Sequence, residues 1–422
     1  MQIGYGVINR VKRSGFAYKL IGLLSGTIIA QVIPIVLSPV FSRLYVPPQF
    51  GEFAIFLSVS AILAVISNGR YAMAVMVEDD FNDRKYLFWG SMLVCTVFCF
   101  LCFIIGHYVL PIFFNNSFIK SPVNIVACVL GTFLLSINQL LGFWFNKSNQ
   151  LKIIAKSKVA QGIGIGAVTL LFGIWKFHVI NGLVWGYIFG MLLANLYFWA
   201  AIIKHFKKSD PFKFAHLWRV LKNHIEYPLY SAPGALMDAS ALQIPTLVLS
   251  YLFDTSIIGY WGFTIRLIQV PSSLISFSLS QVLFQRFTTI KDKIRLRTDV
   301  DKLMKALCLL FVPIGIVILL FGPQLFSFAF GKNWHEAGIY AQILIIPFGI
   351  KFIITPVSII FPAVNRVKLG TQWQLIYFIG TISWLVIGYI FHVNIYLLLI
   401  IYSIHEVLLY GYYYYLIKKV LM

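Results

Sequence analysis

Five charged residues stand inside stretches of sequence that are otherwise almost entirely apolar. They are three cations and two acids: Arg70, Arg266, Lys351, Asp238 and Glu406. A charge deep in a membrane costs about 2.5–3.5 kcal/mol on insertion scales, so it should face a bundle interior or a watery cavity. Cations there can pair with an anionic cargo, and buried carboxylates can take up protons. We therefore predict a polar lumen with a cationic bias, with a structural ion pair as the competing interpretation of each residue.

The composition predicts the elements that hold these charges. Of the 422 residues, 59% are hydrophobic and only 11% are charged, whereas about a quarter are charged in a soluble domain. The mean hydropathy is +0.84, and apolar stretches of twenty or more residues recur along the chain. We predict an all-α polytopic membrane protein with about 12 transmembrane helices, at residues 17–43, 52–77, 86–110, 123–145, 159–176, 181–203, 227–252, 258–285, 304–330, 337–361, 372–391 and 394–417.

The distribution of basic residues predicts the orientation of these spans. One set of loops and ends holds 27 of the 34 Lys and Arg residues, the opposite set holds four, and three lie inside spans. Cytoplasmic loops carry the excess of basic residues, so both termini are predicted to be cytoplasmic. The net charge of +20 follows from this topology. It attracts anionic membrane lipids and requires no nucleic-acid partner.

The chain is predicted to consist of two six-helix lobes, residues 1–205 and 227–422, joined by a cytoplasmic amphipathic linker, residues 206–226. In the linker the apolar residues expected on one helical face are Phe214, Leu217, Trp218 and Leu221. Because six is even, both lobes enter the membrane in the same sense, which predicts a pseudo-twofold along the membrane normal. Gly51 and Gly259 occupy matching positions in the first external turn of each lobe.

The sequence offers little for catalysis. It contains no Walker loop, no zinc-ligand spacing and no arrangement that suggests a nucleophile, so we predict neither an enzyme nor a cofactor nor a metal site. The predicted outer loops are short, which argues against membrane glycosyltransferases and polymerases with large external domains. The five cysteines all lie in apolar stretches and indicate packing rather than disulfides. Transport by conformational change fits these features better than chemistry.

Several stretches, in order and at matching spacing, resemble the Wzx-type polysaccharide flippases, which export O-antigen and capsule units. The longest is "EYPLYSAPGALMDASALQIPTLVLSYLFDTSIIGYWGFTIRLIQVPSSLISFSLSQVLFQRF", residues 226–287. Others are "SRLYVPPQFGEF" (42–53), "GRYAMAV" (69–75), "FWFNKSNQLKIIAKSKV" (143–159) and "FGKNWHEAGIYAQIL" (330–344). This family belongs to the multidrug/oligosaccharidyl-lipid/polysaccharide exporter superfamily. The chain departs from its pattern at Ala72, where glutamate is frequent.

The resemblance implies a cargo, an undecaprenyl-pyrophosphate-linked oligosaccharide moved from the inner to the outer leaflet of a bacterial inner membrane. It also implies a polysaccharide polymerase and a chain-length regulator as partners. The pyrophosphate is then expected to pass the lumen cations, Arg70, Arg266 and Lys351. Asp238 and Glu406 are the expected ion-coupling acids, and Ala72 weakens a proton role for the second span. Sugar faces could stack on aromatic rings, for which an interfacial belt is the competing interpretation: Trp144, Tyr227, Trp261 and Trp373.

Other functions remain open on the sequence alone. A drug or metabolite antiporter of the same fold would also carry membrane acids, although its lumen would more readily be net acidic. A lipid II flippase would have a similarly basic lumen but commonly carries two further helices. A membrane glycosyltransferase or polymerase would need paired carboxylates at a leaflet surface, and no convincing pair is found. A scaffold for a glycan assembly complex could coexist with transport.

Overall fold

The structure is a computed structural model that describes residues 32–109, 118, 121–175, 180–206, 213–289, 293–364 and 366–421. Within these ranges every regular element is helical. The helices up to the linker are α1 (Ser38–Leu44), α2 (Pro47–Ser67), α3 (Tyr71–Val77), α4 (Phe81–Ile104, followed by a π-helical turn, Ile105–Val109), α5 (Pro122–Lys147), α6 (Leu151–Ile174), α7 (Gly182–Phe206) and α8 (Phe214–Asn223).

The helices after the linker begin with a π-helical turn, Tyr227–Ser231, which leads into α9 (Ala232–Leu252). They continue as α10 (Thr255–Thr289), α11 (Lys293–Phe330), a 3-10 turn (Lys332–Trp334), α12 (His335–Ile354), a second 3-10 turn (Thr355–Ile359), α13 (Ile360–Ala363), α14 (Val367–Ile390) and α15 (Ile395–Leu421). Ten of the described helical segments are long and apolar enough to cross a membrane. The prediction of an all-α polytopic membrane protein is therefore confirmed.

Two of the twelve predicted spans are not among these ten segments. The first, residues 17–43, lies largely outside the described residues. The eighth, residues 258–285, is helical as part of α10, but α10 is not one of the ten. The number twelve therefore stays a prediction.

The second predicted span, residues 52–77, is wrong as a single helix. The chain forms α2 and α3 with a break between them, at which Gly69 and Arg70 have φ values of 58° and 60°. Left-handed residues cannot continue a right-handed helix. The break contains the dipeptide Asn68-Gly69, which is a turn signal in its own right.

The described structure divides into two compact units. Unit 1 comprises Met1–Leu44 and Ile55–Gln243, and unit 2 comprises Tyr45–Ala54 and Ile244–Met422. One unit boundary follows α1 and the other two fall within α2 and α9, whereas the sequence places the lobe boundaries at the linker. The division into lobes at residues 205 and 227 stays a prediction.

The predicted amphipathic linker is helical as α8 in unit 1, and only part of its predicted apolar face is buried against protein. The buried residues are Leu217, Val220 and Leu221. They pack on α4 so closely that a Cβ added at Gly90 would lie 2.7 Å from Leu221. Phe214 and Trp218 are 69% and 67% exposed. Each lies at the edge of the apolar arc, because successive residues turn by about 100° around a helix.

Gly51 and Gly259, which the sequence aligns, meet within unit 2. A Cβ added at Gly51 would lie 1.9 Å from the carbonyl oxygen of Thr255, and one added at Gly259 would lie 1.9 Å from that of Pro47. Each glycine thus meets the carbonyl four residues before the other. Small residues let helix backbones approach this closely in membranes. The reciprocity is the geometry expected of equivalent helices that cross about a local twofold axis.

Candidate functional site

Arg70 lies in the break between α2 and α3, where it occupies the N-cap position of α3 in a left-handed conformation and makes no side-chain capping hydrogen bond. Such a conformation at a residue other than glycine costs on the order of 1–3 kcal/mol and persists only where neighbours hold it. The neighbours here are hydrogen-bonded on both sides of the break. Asn68 Nδ2 donates to Ser136 Oγ at 3.0 Å, and Tyr71 Oη donates to the carbonyl of Leu221 at 3.2 Å. These hydrogen bonds hold the backbone of Arg70 in its strained conformation.

The guanidinium group of Arg70 is only partly satisfied. Its Nη2 lies 2.6 Å from Met73 Sδ, which is a weak acceptor, and its buried Nε has no hydrogen-bond partner among the described residues. Asp238 on α9 is the carboxylate whose charge acts on Arg70. Asp238 is itself exposed. A partly buried arginine with a spare donor next to an accessible acid is a group that can accept another anion.

Lys351 and Glu406 come together within unit 2, on α12 and α15. Glu406 is 2% exposed, and one of its oxygens accepts a hydrogen bond from Tyr377 Oη at 2.8 Å. The negative charge of Glu406 acts directly on Lys351. The Nζ atom of Lys351 also lies 5.6 Å from the ring centre of Tyr410 and 5.8 Å from that of Phe348. The pair is thus enclosed by aromatic rings.

His405 adds a second nitrogen next to the same carboxylate, with its Nδ1 3.6 Å from Glu406 Oε1. At this distance the contact is electrostatic rather than a hydrogen bond. The ring of Trp373 stacks on Tyr413 at 4.0 Å and on Tyr377 at 5.1 Å, which closes the cluster from α14. The pair therefore belongs to the packed core of unit 2, and protonation of Glu406 would leave Lys351 without its compensating charge.

Arg266, the third predicted lumen cation, lies on α10 in unit 2. Its guanidinium carbon is 5.4 Å from the ring centre of Phe53 on α2, a cation–π contact. In each unit one predicted cation thus feels the charge of a predicted acid, without a direct salt-bridge contact: Arg70 with Asp238 in unit 1, and Lys351 with Glu406 in unit 2.

Three of the four predicted sugar-stacking residues are buried in this conformation, and their sugar contacts stay predictions. Trp144 is 0% exposed in the core of unit 1, and Arg84 lies 5.1 Å from its ring centre. Trp261 donates to Thr246 Oγ1, and Trp373 donates to the carbonyl of Leu409, both at 3.2 Å. These rings have no free face for a sugar in this conformation. Tyr227 is partly buried at the start of the π-helical turn, and its sugar contact stays a prediction.

Sequence reasoning missed the polar residues that accompany the charges. The sequence analysis did not single out Tyr377 and Tyr410, because hydropathy does not show which tyrosines of a span lie next to a buried charge. Lys158 was assigned to a cytoplasmic loop, yet it lies on α6 and its Nζ donates to Asn138 Oδ1 at 3.0 Å. The run "YGYYYY" at residues 410–415 was the available signal for Tyr410 only. Among the described residues no cluster of His, Cys, Asp or Glu could hold a metal ion.

Residues 40–338 match the family model described as polysaccharide biosynthesis protein. The chain belongs to this family. Curated relatives agree with the assignment. The chain is 20% identical, over 80% of its length and 69% of theirs, to an uncharacterized membrane protein in the cps region of Klebsiella pneumoniae. It is 19% identical, over 83% and 70%, to the lipopolysaccharide biosynthesis protein WzxC of Escherichia coli strain K12.

The fold of this polysaccharide biosynthesis family member is similar to that of a solved flippase. The structure of the lipid II flippase MurJ in an inward closed conformation matches with a TM-score of 0.70, covering 95% of this chain and 87% of that one at 13% identity. An identity this low supports the fold and not the substrate. The predicted resemblance to polysaccharide flippases is confirmed at the level of the family and the fold.

Proposed function

We propose that the protein is a flippase for undecaprenyl-pyrophosphate-linked oligosaccharide units. It moves them from the inner to the outer leaflet of a bacterial inner membrane by ion-coupled alternating access, with both of its termini in the cytoplasm. Family membership, the flippase-like fold and the basic charge of the chain support this proposal. No catalytic step is needed, because only the position of the cargo changes. A polysaccharide polymerase and a chain-length regulator are the expected partners.

The observation that carries the proposal is the state of Arg70. A charged group in an apolar membrane protein is expensive unless it is paired, and the fold adds backbone strain at this same residue. Yet its Nε remains without a hydrogen-bond partner, and its acidic neighbour Asp238 is exposed. A pyrophosphate offers oxygens that match the fork of a guanidinium group in two parallel hydrogen bonds. Displacement of Asp238 by the pyrophosphate would satisfy Arg70 and release the carboxylate.

The other charged residues take supporting parts in this proposal. Arg266 supplies a second cation along the route of the pyrophosphate. Lys351 would become available to the cargo only when Glu406 takes up a proton, since the two charges otherwise compensate each other. Glu406 and Asp238 are therefore the proposed ion-coupling acids, each acting through the cation next to it.

The proposal is tested by complementation of a deletion strain in the host. Wild type, Arg70→Ala, Arg266→Ala, Lys351→Ala and the exposed control Lys156→Ala are produced at matched membrane levels. Surface polysaccharide and the lipid-linked units retained inside are then measured. We expect the deletion and Arg70→Ala to lose surface glycan and accumulate the inner-leaflet precursor, and Lys156→Ala to behave as wild type.

Two outcomes would contradict the proposal in different ways. Normal surface glycan in the deletion strain, with no second flippase in the genome, would overturn the flippase assignment. Full activity of the three lumen variants would keep the flippase but reduce Arg70, Arg266 and Lys351 to structural residues. Accumulation of lipid II instead of the glycan precursor would identify the cargo as lipid II.

A further inference from the structure

Lys158 is a basic residue inside the helix bundle of unit 1 that the proposed route does not use. It is the eighth residue of α6, a helix long and apolar enough to span a membrane, and so lies about 10 Å along the axis from the helix start. The residue is partly buried, whereas Lys152 and Lys156 on the same helix are exposed. The amino group of Lys158 therefore differs from those of its neighbours.

The partners of Lys158 are all neutral. Its Nζ donates to Asn138 Oδ1 at 3.0 Å and to Gln161 Oε1 at 3.3 Å. Asn138 in turn donates from Nδ2 to Asn195 Oδ1 at 2.9 Å, and Asn195 Nδ2 donates to the carbonyl of Leu134 at 2.9 Å. Each amide in this chain of hydrogen bonds is oriented by the next. The amide of Asn138 is thus held with its oxygen towards Lys158, whose hydrogen bond it accepts.

The number of acceptors suits one protonation state better than the other. A neutral amine has two N–H donors, and the amides of Asn138 and Gln161 accept two hydrogen bonds. An ammonium group has three donors and a full charge, and a buried charge is unfavourable without a compensating partner. No third acceptor of Lys158 is found among the described residues.

No acid is available to pair with Lys158 from the helices packed on α6. The sequences of α1, α5, α6 and α7 contain no Asp or Glu, and the first acidic residue of the chain is Glu52. The titratable and charged residues that these four helices do contain are cationic or neutral at pH 7: Arg43 on α1, Cys128 and Lys147 on α5, Lys152 and Lys156 on α6, and Tyr187, Tyr197, Lys204 and His205 on α7.

We propose that Lys158 is the proton-carrying residue of unit 1, neutral in the conformation described here and protonated when its surroundings open to water. The amine lone pair takes a proton from water on one side of the membrane, and the ammonium group returns it to water on the other side. No other bond is formed or broken. A conformation that binds the proton better is favoured by protonation, so a proton gradient would bias the conformational cycle. This inference rests on the proposed flippase function.

The protonation step is tested on the purified full-length protein with lysine labelled with ¹⁵N at Nζ. The NMR signal of Lys158 is identified by its loss in Lys158→Arg, and Lys156→Arg serves as the matched control. The pH is raised towards about 10.4, where ordinary lysines titrate, and we expect the Lys158 signal to change from ammonium to amine at a lower pH than the signal of Lys156. A Lys158 signal that titrates together with that of Lys156, or that stays in the ammonium form throughout this pH range, would overturn the proposal.

A second variant keeps the test independent of the loss of Lys158. Asn138→Asp places a carboxylate next to Nζ with almost no change in size, so it should hold the ammonium form across the same pH range. Surface glycan should then be lost in Asn138→Asp and in Lys158→Arg, which are fixed in the charged state, and in Lys158→Met, which is fixed in the neutral state. Lys156→Met and Lys156→Arg should complement normally at equal membrane levels.

The two proposals fail in distinguishable ways. Normal glycan in all three locked variants, with a normal loss in the deletion strain, would overturn the role of Lys158 and leave the flippase intact. Normal glycan in the deletion strain would overturn the flippase, and the NMR titration alone would then decide whether Lys158 exchanges a proton.

Discussion

Two of the predicted membrane cations, Arg70 and Lys351, each feel the charge of an acid, but their surroundings are opposite. In unit 1, Arg70 lies on a strained backbone next to an exposed acid and keeps an unsatisfied donor. In unit 2, Lys351 and Glu406 lie on regular helices, and Tyr377 donates to the carboxylate within a cluster of aromatic rings. Both sites combine a cation with a carboxylate, so they differ in hydrogen bonding: Arg70 keeps a donor without a partner, whereas Glu406 is hydrogen-bonded. An incomplete pair can exchange its partner for a ligand, whereas a completed pair holds helices together until a proton disturbs it.

The largest expected effect is the removal of one charge from the buried pair of unit 2. Breaking a direct buried ion pair from one side costs about 3–5 kcal/mol, because the remaining charge is left uncompensated. The charges of Lys351 and Glu406 act on each other without a direct salt-bridge contact, so we expect Lys351→Met and Glu406→Gln each to lower the stability of the purified protein by up to about this amount. Denaturant titration in detergent measures the effect.

The double variant Lys351→Met/Glu406→Gln should recover part of that loss, since neither charge is left alone. Strictly additive losses would show that the two residues do not act as a pair. Unit 2 would then contain no charge pair to compare with Arg70 and Asp238 in unit 1.

A smaller and opposite effect is expected at the incomplete pair. Arg70→Gly removes the side chain from a left-handed position, so the stability should rise by about 1 kcal/mol even though a charged residue is lost. Asn149→Gly provides the matched control, because Asn149 is also left-handed in unit 1, with a φ of 55°. Asparagine tolerates this conformation better than arginine, so its change should be smaller.

A destabilising effect of Arg70→Gly would mean that Arg70 is a structural residue like Lys351. Arg70 and Lys351 would then no longer differ in their contribution to stability. Stabilisation together with loss of surface glycan would sharpen it, because function and stability would be separated at a single position.

The smallest effect is expected at an exposed ion pair at one end of unit 1. Lys147 Nζ lies 2.5 Å from Asp79 Oδ1, and this hydrogen bond lowers the pKa of Asp79. A lowered pKa stabilises the fold at neutral pH, and that contribution is lost as the pH falls through the pKa of the folded state. Asp79 is exposed, so solvent screens the pair and Asp79→Asn should leave the unfolding midpoint unchanged. A clear fall of the unfolding midpoint of Asp79→Asn at neutral pH would show that an exposed ion pair can also contribute strongly to stability in this protein.

The sequence predicted the class of the fold well and the site only in part. Long apolar runs are a strong signal, and they lead to the helical membrane protein that the structure shows. The break at Arg70 was missed because hydropathy continues through Gly69, although the Asn-Gly dipeptide marks a turn. The predicted span begins at residue 159, just after Lys158, because the basic residues before it are typical of a loop, whereas α6 already begins at Leu151.

The pairing of charges could not be read from the sequence at all. Arg70 and Asp238 are far apart along the chain, as are Lys351 and Glu406, and only the packing of helices decides which of them meet. The burial of Trp144 and Trp373 has the same origin, since a tryptophan in a membrane span can face lipid, lumen or core. Side-chain environment, unlike helix formation, is a property of the whole fold.

The measurement that tests the central claim most directly is the binding of a lipid pyrophosphate to purified wild type and to Arg70→Gly. Undecaprenyl pyrophosphate is titrated in detergent, with undecaprenyl monophosphate as the control ligand and Lys156→Gln as the control variant. Loss of a charge-assisted contact of about 1.5–3 kcal/mol should weaken binding about 10- to 100-fold in Arg70→Gly. Lys156→Gln should bind as wild type does. Equal affinity of wild type and Arg70→Gly would contradict the account, because Arg70 would then not meet the pyrophosphate.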